Sequence, residues 1–288
     1  MYCNNCGLAY TNPRPSIQEI ERFYGRHYYG KDNARFKGIF ELLVRLFRKQ
    51  RTHRLLNLKK SGRILDIGCG RGQMLYEFKK RGWQTFGTEL TESKAQAARE
   101  EFGLDVLTVP LEACGFEDNF FDVVTLWHVL EHLPYPRETL REINRVLKKD
   151  GFLVVAVPHF DSWEARIFKG KWFHLDVPRH YYHFSLQTLT QMLAITGFKV
   201  KSQHHFSIEY NPYGLMQSLL NQVSGQSNFL YNLLSADSDR SLSQSKSILL
   251  MNLLLVPPLA VSSLPLSYLA ALFQTGGTIE LLAGKQNG

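Results

Sequence analysis

The stretch Ile64-Leu65-Asp66-Ile67-Gly68-Cys69-Gly70-Arg71-Gly72 constrains this chain more than any other. A short apolar run ends in three glycines at every second position, and Gln73-Met74-Leu75-Tyr76-Glu77-Phe78 follows in helical rhythm. The pattern predicts a buried strand, a tight turn and a helix. Glycines at such a turn adopt unusual dihedrals and let a ligand approach the backbone. The helix that follows offers its unpaired N–H groups to the same ligand.

The rest of the middle of the chain alternates in the same way, which predicts an α/β fold with a parallel sheet and helices on both faces. Strands are expected at 63–67, 83–88, 105–109, 121–127, 152–157 and 198–205, with a seventh and last at 278–283. Helices are expected at 73–80, 92–102, 137–148 and 186–196, the third closed by Asp150-Gly151.

The glycine spacing separates two ligand classes. A dinucleotide fingerprint, G-x-G-x-x-G, needs a third glycine at position 73, where Gln73 stands. The spacing is instead Asp-x-Gly-x-Gly-x-Gly. With Glu89 at the end of the second strand, nineteen residues after Gly70, this resembles the class I methyltransferases that use S-adenosylmethionine (SAM). The resemblance covers about residues 54–205 and the last strand, and implies the seven-stranded Rossmann-like sheet of that family. It implies that Asp66, Gly68, Cys69, Gly70 and Gly72 hold the methionine end of SAM, and that Glu89, followed by Leu90, holds the ribose. The family's adenine-binding acid falls at Pro110, so the adenine is expected on Leu111, Glu112 and the backbone near them, with Trp127 beside the cofactor.

Two later runs carry acceptor chemistry. Leu126-Trp127-His128-Val129-Leu130-Glu131-His132-Leu133 lies just past the fourth strand, and a helical turn there puts His128, Glu131 and His132 on one face. An imidazole there is a general base for a hydroxyl. The run is also similar to the Glu-x-x-Glu-His metal site of RNA 2′-O-methyltransferases and ubiquinone-pathway O-methyltransferases, which makes His128, Glu131 and His132 candidate metal ligands. The run 172–185 holds three histidines, with His180 its best polar candidate and His183 an alternative. It looks like a run in bacterial methyltransferases found with sugar and cell-surface polysaccharide genes.

The ends of the chain add organisation. Cys3-Asn4-Asn5-Cys6-Gly7 is a C-x-x-C knuckle resembling half of a zinc ribbon, two ligands where a structural zinc needs four. Four cysteines without a paired framework fit a reducing compartment, and the polar start is not a signal peptide. Net charge is +8, and residues 35–60 carry nine basic residues with Glu41 as the lone acid, interleaved with Phe36, Ile39, Phe40, Leu43, Val44 and Phe47. That is a basic amphipathic helix, either a lid or a membrane-surface contact. Residues 224–247 predict a Ser-rich loop, and no Asp, Glu, Lys or Arg occurs from Ser247 to Ile279. Pro257-Pro258 divides that apolar segment, which predicts a helical hairpin packed on protein or dipping into one leaflet.

The domains expected are a knuckle at 1–15, a helical lid at 16–60, a SAM-binding core at 61–205, a hydrophobic helical insertion at 206–275 and a last strand with its tail at 276–288. The function implied is SAM-dependent methylation of a small-molecule, sugar or lipid-linked glycan acceptor, at a hydroxyl first and at a sugar carbon second. RNA 2′-O-methylation and non-catalytic SAM binding are the rivals from other classes. No nucleic-acid partner is expected. The setting expected is the cytoplasm, at the inner face of the membrane through residues 35–60 and 247–273, with a homodimer as a further expectation.

Overall fold

The computed structural model describes residues 1–24, 52–57, 59–234 and 246–286. Most of the basic segment at 35–60 therefore lies outside the described residues, and with it the expected lid helix.

Two compact units result. The core unit takes Arg45–Val157, Gln187–Gln203 and Glu280–Gly288. Its sheet has seven strands: β1 (Arg63–Ile67), β2 (Gln84–Thr88), β3 (Asp105–Leu107), β4 (Phe121–Trp127), β5 (Leu147–Pro158), β6 (Phe198–His204) and β7 (Thr278–Lys285). Their order is β3-β2-β1-β4-β5-β7-β6. The pairs β1–β2, β1–β4, β2–β3 and β4–β5 are parallel. Parallel strands buried on both faces need unbroken apolar runs. Ile64, Leu65, Val123, Val124 and Leu126 are accordingly fully buried. The helices of this unit are α1 (Gln73–Lys79), α2 (Glu92–Phe102), α3 (Pro136–Val146) and α5 (Leu186–Ile195). Met74, Leu75 and Phe78 of α1 pack with Ala95 and Ala98 of α2, Trp83 and Leu104 in one cluster over β1 and β4.

β5 starts five residues before the expected position. Lys148-Lys149-Asp150-Gly151 looks like a helix end in sequence, yet Leu147 already pairs with Phe121, across a register shift before Val123. The reason is Asp122. It accepts from the Arg63 N–H at 2.9 Å, from Lys148 Nζ at 2.8 Å and from Lys59 Nζ at 3.0 Å. Those bonds draw Lys148 onto the sheet. Burial pushes the Asp122 carboxyl up, but Lys148, the Arg63 N–H and Lys59 outweigh it and hold it below its ordinary value.

The accessory unit takes Met1–Val44, Pro158–Leu186 and His204–Ile279. Its N-terminal strand Ala9–Tyr10 pairs antiparallel with Tyr182–His183. Ser16 caps the turn Ile17–Ile20 in a capping box: Ser16 N–H donates to Glu19 Oε2 at 2.9 Å, and Glu19 N–H to Ser16 Oγ at 3.3 Å. Four helices follow: α4 (Trp163–Phe168), α6 (Asn211–Ser224), α7 (Phe229–Leu234) and α8 (Lys246–Leu272). Part of the expected Ser-rich loop is thus α7. The expected hairpin is also wrong. α8 runs as one helix through Pro257, Pro258 and Pro265. Each proline removes one backbone hydrogen bond. The first two lie side by side, and Leu255, Val256 and Leu259 around them pack on Met216, Leu220 and Leu230, which keeps the helix continuous.

Candidate functional site

The glycine turn leaves β1 at Ile67 and enters α1 at Gln73. Cys69 N–H donates to Thr88 O at 3.0 Å, tying the turn to the end of β2. Burial among Asp66 and Glu89 pushes the Cys69 thiol far up, so it stays neutral. Gly70 and Gly72 are both left-handed, at φ +57° and +71°, but for different reasons. A Cβ on Gly72 would stand 2.2 Å from Leu104 Cδ1, so packing demands the glycine. A Cβ on Gly70 would meet nothing within 4 Å, so its bare face opens on free space.

Glu89 stands beside that space. Its Oε2 accepts from the Gly70 N–H at 3.0 Å and its Oε1 from the Thr91 N–H at 2.9 Å. Two backbone donors thus fix the carboxylate, and each oxygen keeps a lone pair for another donor. Asp66 is buried within β1, and its Oδ1 accepts from Thr125 Oγ1 at 2.6 Å. It therefore locks β1 to β4 beneath the turn. Leu111 is buried in the turn Leu111–Ala113, while Glu112 Oε1 accepts from Thr139 Oγ1 at 2.5 Å. Leu90 is exposed, and Trp127 packs against the core cluster.

The second run differs from its expected form. His128 is left-handed at φ +54°, an uncommon conformation for a non-glycine residue. A 3-10 turn, Leu130–His132, follows in place of a helical face. Glu131 turns inward and is buried, with Oε1 3.4 Å from His128 Nδ1. His128 and Glu131 therefore pair, and His132 is only partly buried in the same turn. Of the three expected metal ligands, Glu131 and His132 bring one ligand atom each within 4.8 Å of one another, and His128 is not in that group. Strained backbone followed by an inward acid re-aims Glu131 at the imidazole.

His180 belongs to the accessory unit. Its Nδ1 lies 3.0 Å from His174 O, and Asp176 Oδ2 is 3.7 Å from its Nε2. Asp176 also pairs with Arg179. Thr11 Oγ1 donates to His180 O at 2.7 Å and lies 3.4 Å from His183 Nε2. The run thus seats the N-terminal strand. Burial lowers the His183 pKa to about 4, so its imidazole is neutral and a weaker base than an exposed one.

Cys3 and Cys6 form a knuckle, with Gly7 N–H donating to Cys3 O at 2.9 Å. Backbone N–H groups of Cys6 and Asn5 lower the Cys3 thiol, as a metal-binding turn requires. Among the described residues no third His, Cys, Asp or Glu gathers with them, so the pair does not amount to a four-ligand zinc centre.

Sequence reasoning missed a buried polar group in the accessory unit. His159, the residue after β5, lies with its Nδ1 3.1 Å from Gly276 O, and its ring centroid 5.6 Å from that of His205. Asn211 Nδ2 donates to His205 O at 3.0 Å. Glu164 is fully buried against Gly277. Burial lowers His159 to about 4 and raises Glu164 to about 8, which the Trp172 indole offsets only in part. No sequence signal marks these residues, because His159 and Glu164 meet Gly276 and Gly277 across more than a hundred positions.

Comparison with known proteins follows from this geometry. A family model described as a methyltransferase domain matches residues 36–203. The chain belongs to this methyltransferase-domain family. Among curated relatives, a ubiquinone biosynthesis O-methyltransferase of Nitrosomonas europaea is 26 % identical over 142 residues, 47 % of this chain and 60 % of that one. A ubiquinone/menaquinone biosynthesis C-methyltransferase of Paraburkholderia phymatum is 32 % identical over 107 residues, 34 % of this chain and 44 % of that one. The chain thus covers less than two thirds of either enzyme. A solved 1,6-didemethyltoxoflavin-N1-methyltransferase of Burkholderia thailandensis, holding S-adenosylhomocysteine, aligns with TM-score 0.56 at 14 % identity, over 100 % of this chain and 98 % of that one. The likeness shows the methyltransferase fold.

Proposed function

We propose that this methyltransferase-domain protein is a SAM-dependent enzyme that methylates a hydroxyl of a small-molecule or glycan acceptor. The observation that carries the cofactor reading is the open face of Gly70 beside a carboxylate fixed by two backbone N–H groups. SAM supplies an electrophilic methyl on a sulfonium. Glu89 would hold its ribose hydroxyls, and the bare Gly70 backbone would admit its methionine end. Asp66 acts through Thr125, keeping the two strands beneath the turn in register.

His128 is the base for the acceptor hydroxyl, and buried Glu131 orients its ring from the Nδ1 side. Most of the acceleration in such transfer comes from positioning. The base adds roughly 10²–10⁴-fold. Replacing His128 by Ala should lower kcat about a hundredfold and leave S-adenosylhomocysteine affinity unchanged. Equal loss of both would remove His128 from the acceptor side. The C-methyltransferase relative favours a second reading, transfer to a carbon, in which the same base removes a proton from an activated C–H.

Isothermal titration with S-adenosylhomocysteine tests the cofactor. Micromolar binding is expected, weakened about 10–100-fold in Glu89→Ala through the loss of charge-assisted hydrogen bonds. No binding to the wild-type chain would refute the reading.

A further inference from the structure

α8 is built inside out. In a helix of a water-soluble unit, apolar side chains face the core and polar ones face solvent. Here Asn252, Ser263, Ser267 and Ala270 form the buried strip, while Leu250, Leu253, Leu254, Val261, Leu264, Leu266, Tyr268, Leu269 and Leu272 are exposed, and Phe273 follows them. Val261 is 78 % exposed and Phe273 77 %. Asn252 Nδ2 donates back to Ile248 O at 2.8 Å and Ser262 Oγ to Pro258 O at 2.9 Å, so polar groups of the helix bond within it. No charged residue interrupts the segment from Ser247 to Ile279.

The distribution of these residues identifies the occupant of the face. Small and polar residues at helix contacts, with large apolar residues outward, is the packing logic of helices in lipid. At 100° per residue the exposed apolar side chains cover roughly 220° of the helix circumference. A partner helix, including one from a second copy, covers a stripe on the order of 100° wide. A hydrocarbon slab wets the whole arc. The exposed patch is on the order of 1,000 Å², against the ~300–600 Å² of the largest patch on an ordinary monomer. By length and composition the helix could cross a membrane, but Leu255, Val256 and Leu259 hold one side of it on Met216, Leu220 and Leu230, which favours a helix lying on the surface. The helix is about 40 Å long and suits lying along a surface.

We propose that α8 seats this protein on a lipid bilayer as an in-plane, monotopic helix, its outward leucines reaching the acyl chains of one leaflet. The face is uncharged, so binding does not depend on anionic headgroups. The proposal stands apart from the methyltransferase reading.

Flotation of the full-length chain with phosphatidylcholine vesicles tests it. The wild type should float with the vesicles, equally in low and high salt. The double variant Leu253→Asp, Val261→Asp changes two exposed positions, so S-adenosylhomocysteine binding and circular dichroism should stay as in the wild type while the floated fraction falls at least tenfold. A milder Leu253→Gln, Val261→Gln pair should show the same direction. A wild type that stays in the aqueous layer overturns the proposal. Flotation confined to anionic vesicles and released by salt does so too. So does a stable dimer in solution that ignores vesicles and dissociates in the Asp variant.

Discussion

Gly70→Arg should abolish S-adenosylhomocysteine binding, by more than a hundredfold in titration, while the chain still folds. The arginine enters the open space in front of the turn, where the methionine end of the cofactor would sit. Its penalty to the fold is the left-handed backbone alone, about 1 kcal/mol. Gly72→Ala should do the opposite. Its methyl meets Leu104 Cδ1 at 2.2 Å, so the turn or α1 must shift, with a loss on the order of 1–3 kcal/mol in chemical denaturation. The contrast separates a glycine kept for a ligand from one kept for packing. Retained binding in Gly70→Arg would leave the turn without a cofactor role.

Glu164→Gln should stabilise the protein at neutral pH and change little near pH 4.5. The folded carboxyl titrates at about 8 and the ordinary value is 4.5. Below pH 4.5 it is protonated both folded and unfolded, and its ionisation contributes nothing. As pH rises towards 8 the unfolded chain releases the proton and the folded chain keeps it, so stability is lost across that window. At pH 7 the loss is about 3 kcal/mol, from 1.36 kcal/mol per pH unit. Glutamine keeps the shape and cannot ionise. Denaturation midpoints compared at pH 5 and pH 7.5 measure the difference, and equal gains at both would show that titration is not the cause.

The glycine turn and its bond to Glu89 were legible because they are local. A glycine turn, its strand and the acid nineteen residues on lie within one βαβ unit, so their spacing alone predicts how they meet. Strands β1 and β4 were legible because buried parallel strands are plain apolar runs. Leu147–Gly151 was not, since Lys148 owes its place on the sheet to Asp122, and pairing to a distant acid leaves no trace in periodicity. Pro257-Pro258 misled for the reverse reason: proline is a local breaker, and distant packing through Leu255 and Leu259 overrides it. His128–Glu131 fell between the two. The residues were marked by type, but a left-handed His128 re-aims the pair in a way that spacing does not encode.

The large excursion between β6 and β7 has a further consequence. The two strands are neighbours in the sheet, so about seventy residues stand where a short turn would serve. Closing a loop grows only logarithmically with its length, about 0.6 kcal/mol per doubling. Replacing a turn of a few residues by seventy therefore adds roughly 2–3 kcal/mol of closure entropy at most. Lengthening at this position is nearly neutral for the sheet, and the glycine turn, on the far side of β4, shares no strand with it. The sheet therefore tolerates exchange of what the chain carries between these strands.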